Sequence, residues 1–176
     1  MALIQEMSYK IQMSDWDIHP SKTCFLCISP DYSSIVTQHL SHSLSMDREI
    51  FHIEAVNVPF PDEDVTKYRI DFELNLAQWI LEWDNFVLCE AGVIRGGNYT
   101  WITECIKKYN DLCGKNYYTL SLCENVNSKY KSDLVSLYYD DAIEDLHFWW
   151  EKPNSHWAWT PKIRFWWDSN PFKSSR

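Results

Sequence analysis

Glycine is nearly absent from this chain, with four among 176 residues. Positive φ angles and close backbone approach are therefore rationed, and each glycine marks a place that needs one of them. Cations are short as well: 16 Lys and Arg stand against 25 Asp and Glu, for a formal charge of −9. That balance argues against non-specific nucleic-acid binding, which needs clustered Lys and Arg against phosphates. A local basic pocket remains compatible with it. No apolar run approaches the roughly 20 residues of a membrane span. The N-terminal MALIQEMSYK lacks the apolar core of a signal peptide. The expectation is a soluble, cytoplasmic protein with no membrane and no nucleic-acid partner. Also missing are G-x-S-x-G, GxGxxG and the P-loop pattern GxxxxGK followed by Ser or Thr. Their absence removes support for an elbow-type serine hydrolase, a dinucleotide-binding turn and a P-loop NTPase.

What is present is apolar and aromatic. Hydrophobic residues make up 45% and aromatics 16%, including ten tryptophans that crowd the C-terminal quarter. A chain of this length suits one domain with a sizeable core. Strands are expected over Thr23–Ser29, Ile50–Val58, Phe86–Cys89 and Tyr117–Cys123, where apolar residues run together or alternate. Helices are expected over Ser33–Leu44, Ile70–Trp83 and Asn98–Leu112, each with apolar residues at helical spacing. Ser33 or Ser34 would cap the first, Asn98 would cap the third, and Gly114 would stop it. Pro59–Asp64, with two prolines and three acids, reads as a loop. Strands alternating with helices predict an α/β fold: a single domain with a mostly parallel central sheet flanked by helices and an aromatic-rich C-terminal extension. The domain would span 1–153, and the Trp-rich segment 154–176 would pack on it or on a partner, including a second copy of the chain.

The cysteine pair Cys24 and Cys27 invites a metal or redox reading. On a strand, however, i and i+3 face opposite ways, and no second pair completes a zinc set. Reduced core cysteines are the expectation. His39 and His42 stand at i, i+3 on a helix with no third ligand nearby, and read as exposed positions. Asp140 and Asp141 are adjacent and so do not oppose each other as a catalytic pair would. The acid run Asp62, Glu63, Asp64 reads as a solvated loop, with a lid over substrate as the sharper alternative.

In such sheets ligands bind beyond the carboxyl ends of the strands. The loops to watch are therefore Ser29–Ser34 and Glu90–Asn98. The second holds Gly92, Gly96 and Gly97, three of the four glycines, in the stretch FVLCEAGVIRGGNYTW. Exposed amides followed by a helix N-terminus make an anion cradle. Asn98 and Thr100 could add side-chain donors.

This stretch resembles the phosphoribosyl-diphosphate motif of the type I phosphoribosyltransferases: a hydrophobic strand, two acids, aliphatic residues, a hydroxyl, two glycines and Thr. Glu90 stands at the first acid and Ala91 at the second, while Arg95 and Asn98 occupy the hydroxyl positions. Cys24 to Glu151 follows the same order of elements, nearest to the purine and xanthine-guanine members. The resemblance implies that Glu90 holds ribose hydroxyls as the catalytic acid. It implies that Ala91, Val93, Ile94, Arg95, Gly96, Gly97, Asn98 and Tyr99 surround the 5′-phosphate. Ser29, Pro30, Asp31, Tyr32 and Ser33 stand where the diphosphate loop would lie, without its usual cation and glycines. Phe148, Trp150 and Glu151 would border the base, with Asp145 in place of the usual stacking Trp. Packing is the plainer role for Trp149 and Trp150. Two functions follow. One is transfer of phosphoribose to a nucleobase from phosphoribosyl diphosphate, with Mg²⁺. The other is a non-catalytic nucleotide or sugar-phosphate sensor, or a protein-interaction module, on the same fold.

Overall fold

The computed structural model describes residues 2–45, 49–59 and 63–140. Nine elements follow one another along these residues, helix and strand alternating up to β4: α1 (Ala2–Met13), β1 (Thr23–Ile28), α2 (Pro30–Leu44), β2 (His52–Val56), α3 (Val65–Glu82), β3 (Asn85–Val93), α4 (Gly97–Cys113), β4 (Asn116–Asn125) and β5 (Leu134–Tyr139). The strands form one sheet in the order β2-β1-β3-β4-β5, and every neighbouring pair is parallel. The chain runs from β1 outward to β2, then returns to the other side of β1 as β3. The order reverses between β1 and β3, which is where α/β sheets open a ligand crevice.

β1 is buried at all six positions, because TCFLCI meets helices on both sides. One face packs α1 and α2 against Phe25, Val87, Cys89, Ala91 and Leu120. The other packs α3 and α4 against Cys24, Leu26, Phe86 and Leu88. Cys24 and Cys27 are buried and free, and burial pushes both thiols up. Among the described residues no three His, Cys, Asp or Glu side chains come together as a metal set. His39 and His42 lie exposed on α2. No helix of the described residues is long and apolar enough to cross a membrane.

The structure adds two elements to those expected and moves the ends of others. α1 and β5 were not anticipated. α1 buries Ile4, Met7 and Ile11, a stripe of only three residues, and β5 leaves Leu137 and Tyr138 exposed. α3 starts at Val65, because the Asp64 carboxylate accepts from the Thr66 amide at 2.9 Å and caps the helix. Glu63 accepts from the Tyr68 hydroxyl at 2.6 Å. The end of the acidic run thus leads into a helix; residues 60–62 of the expected loop lie outside the described ones. α2 starts at Pro30, with Pro fitting the first helical position. Neither Ser33 nor Ser34 caps it; Ser29 does so by position, with no side-chain bond.

β3 continues through Glu90, Ala91 and Gly92 to Val93, beyond the Cys89 expected as its end. Its ladder to β1 stops at Cys27–Cys89, while the ladder to β4 runs on to Val93–Glu124. Past the last β1 partner, the Ser33 hydroxyl accepts the Ala91 amide at 2.9 Å. Both residues are fully buried. Ser33→Ala should leave that amide unpaired and cost about 1–3 kcal/mol in urea unfolding. A loss below about 0.5 kcal/mol would mean that the strand end is held otherwise.

Candidate functional site

The crevice end of β3 is built by alternation. Glu90 points to the α3/α4 face and Ala91 to the α1/α2 face. Ala91 is fully buried in the cluster that contains Phe25, Leu120 and Leu122. A second acid there would sit in that apolar cluster, and the small side chain is what the packing accepts. Glu90 is itself 7% exposed. The Asn98 amide donates to its Oε1 at 2.9 Å. Burial pushes the Glu90 carboxyl up to about 7, and the Asn98 bond pulls weakly the other way. The acid is thus partly protonated near neutrality.

Asn98 does not cap α4, because its side chain is turned to Glu90. The helix begins at Gly97, and its first internal bond runs from the Thr100 amide to the Gly96 carbonyl at 3.0 Å. The amides of Gly97, Asn98 and Tyr99 precede that bond and have no partner within the helix. Thr100 turns its hydroxyl onto the same Gly96 carbonyl at 2.8 Å, so it is not aimed outward. Tyr99 is fully buried; its hydroxyl donates to the Leu88 and Leu120 carbonyls. Only its backbone amide can face a ligand. Val93 is buried, whereas Ile94 and Arg95 are exposed at the tip.

The two adjacent glycines differ in why they are glycine. Gly96 has φ +75°, and a Cβ there would lie 2.5 Å from Tyr130 Cβ and 2.8 Å from Ser128 Oγ. Gly97 meets nothing within 4 Å. Packing requires the first, while the second has open space where a side chain would stand. Tyr130 stacks at a tilt on Tyr99, ring centroids 5.0 Å apart, so the β4–β5 connection backs the loop. Behind it the buried Glu124 accepts from the Ser132 amide at 2.9 Å and lies 3.5 Å from Lys131 Nζ. Sequence reasoning missed this connection. Its signal was the turn-rich NVNSKYKSD before LVSLYY.

At the other side of the crevice, the expected diphosphate loop is not a loop. Ser29 is a single left-handed residue, φ 52° and ψ 70°, between β1 and the first turn of α2. Pro30, Asp31, Tyr32 and Ser33 are helical. Pro30 has no amide hydrogen to offer, Ser33 is buried, and Asp31 is an exposed anion in the first turn. The base-side residues Phe148, Trp150 and Glu151, and the segment 154–176, lie outside the described residues.

No family model and no curated protein matches the sequence. Solved structures do match in shape. A Helicobacter pylori xanthine-guanine-hypoxanthine phosphoribosyltransferase is 17% identical with a TM-score of 0.52, over 85% of this chain and 86% of that one. The fold is of the type I phosphoribosyltransferase kind. An HGPRT-ase from Leishmania tarentolae in complex with GMP aligns at 15% identity and TM-score 0.55, covering 81% of this chain and 78% of its own. A Trypanosoma cruzi hypoxanthine phosphoribosyltransferase with the product IMP gives 10% identity and 0.54, covering 81% and 68%.

Two outcomes test this geometry. Gly96→Ala should cost about 2–4 kcal/mol, from the left-handed backbone and the clash with Tyr130. Gly97→Ala should be neutral or gain up to ~1 kcal/mol; chemical unfolding of both would expose an error if the order reversed. Glu90 gives a pH signature. Between its ordinary 4.5 and about 7, the folded chain keeps a proton that the unfolded chain has lost. Stability contributed by the neutral acid is complete below that window and is lost as pH rises through it. Glu90→Gln should therefore gain on the order of 1–3 kcal/mol over the parent near pH 8, and almost nothing near pH 4.5. A difference that stays flat with pH contradicts the assignment.

Proposed function

We propose that this protein binds a nucleoside monophosphate or a related phosphoribosyl compound, and that it does so as a sensor and not as a transferase. The observation that carries this reading is the asymmetry of the crevice. On the α4 side, the amides of Gly97, Asn98 and Tyr99 open the helix, Gly97 is exposed with open space at its Cβ position, and Arg95 is exposed in the same loop. A helix N-terminus with a nearby fork-shaped cation suits a 5′-phosphate. On the α2 side, Asp31 and a proline-started helix offer a diphosphate repulsion and no glycine amides. Glu90 would take a ribose hydroxyl once Asn98 releases it, and Phe148, Trp150 and Glu151 would border the base.

The residues present do not suit a chain-held Mg²⁺. Ala91 supplies no ligand, and Glu90 is buried, hydrogen-bonded and partly protonated near pH 7. A hard divalent cation wants several ionised or carbonyl oxygens. No step through the metal is derived. A cytoplasmic location belongs to the same reading: five buried, free cysteines suit a reducing compartment.

Tryptophan fluorescence or calorimetry can decide. Purine nucleoside monophosphates should bind, and phosphoribosyl diphosphate with Mg²⁺ should bind at least tenfold more weakly. Gly97→Asp, which places a carboxylate in the open space at this helix start, should weaken monophosphate binding by about tenfold or more while the fold persists. Turnover of phosphoribosyl diphosphate with any nucleobase, abolished by Glu90→Ala, would replace this reading with the transferase. Absence of binding by every monophosphate would end it.

A further inference from the structure

α3 is apolar on two opposite sides. Phe72, Leu76 and Trp79, spaced four and three apart, are buried against the sheet. Ile70, Leu74, Ala77 and Leu81, spaced four, three and four apart, face outward. Ile70 is 54% exposed, Leu74 69% and Leu81 84%. One apolar stripe accounts for a helix lying on a sheet. The second stripe has the alternating spacing of a coiled-coil seam, and in an acidic chain it is a costly surface to leave in water.

We propose that this seam pairs α3 with α3 of a second copy of the chain, antiparallel, about a twofold axis between Asn75 and Leu76. In that register Ile70 meets Leu81 of the other copy, and Leu74 meets its Ala77. Each large side chain is opposed to a complementary one, and the Leu-on-Ala layers let the helices approach. The charges favour the same direction. An antiparallel pair brings Lys67, exposed one layer before Ile70, toward the end of the other copy's helix, past which Asp84 lies. Asp84 is held by Lys115 at 2.9 Å, yet its side chain remains 59% exposed. A parallel pairing would set Lys67 on Lys67, Asp84 on Asp84 and Ala77 on Ala77. It would also align the two helix dipoles. The antiparallel pair makes an isologous, closed interface. A seam of one helix belongs to the small, reversible class of contact, so dissociation is expected in the micromolar range.

Sedimentation equilibrium of the full chain across the micromolar range is the test. The parent should associate to a dimer and no further. Leu74→Glu should raise the dissociation constant at least tenfold with an unchanged far-ultraviolet dichroism spectrum. For the register, Cys113, an exposed thiol, is first replaced by Ser. Under a copper oxidant the double variant Ile70→Cys/Leu81→Cys should then form covalent dimers, and neither single variant should. A parent that stays monomeric at every concentration overturns the proposal, whether residues 141–176 or a different protein covers the seam. So does a dimer indifferent to Leu74→Glu, or single-cysteine variants that cross-link as well as the double one.

Discussion

The hydroxyl of Ser33 meets the amide of Ala91 at 2.9 Å where β3 has outrun its neighbour β1. A buried amide past the end of a ladder must find an acceptor, and the chain supplies one from α2. That contact lets β3 stay extended to Val93 instead of turning after Cys89. Extension fixes the alternation, so Glu90 goes to one face and residue 91 to the other. Alternation decides that residue 91 is buried among apolar side chains and that Glu90 reaches Asn98 at the start of α4. The position of the glycine loop over Tyr130 follows from the same strand height.

The α4 end and the α2 end of the crevice differ in kind. The family likeness is one of backbone, at TM-scores of 0.52 to 0.55 with identities of 10 to 17%. On one side the backbone still presents amides at a helix start. On the other, a helix begins one residue after the strand, and its first turn carries an anion. The two ends of a phosphoribosyl diphosphate would meet opposite electrostatics here. A monophosphate would meet only the favourable one.

Much of this was legible in the sequence, for definite reasons. β1 and β3 announce themselves as unbroken apolar runs, and α2, α3 and α4 as apolar stripes, because both sheet faces are covered. The strand–loop–helix around Gly96 was legible from the apolar run before it, the three clustered glycines and the helical stripe after it. The end of β3 was not, since a carboxylate at Glu90 reads as a solvated strand terminus until a helix is seen closing over it. Nor was the need for Gly96 legible: its reason is Tyr130, 34 residues away in sequence. Pro30 did carry a helix-start signal, but resemblance to a loop-bearing family argued for a loop there. β5 escaped because LVSLYY, apolar at five of six positions, shows no alternation to mark it as an edge strand.

Gly96 is wedged between its own left-handed backbone and the Ser128–Tyr130 connection, so the loop has little freedom to lose. The amides of α4 are oriented by folding and not by a ligand. On the proposed reading, an anion arriving there would meet a pre-organised receptor, and the usual entropy of ordering a glycine-rich loop would be largely absent from the binding equilibrium. The same rigidity removes loop closure as a slow step, leaving encounter and orientation to set the association rate.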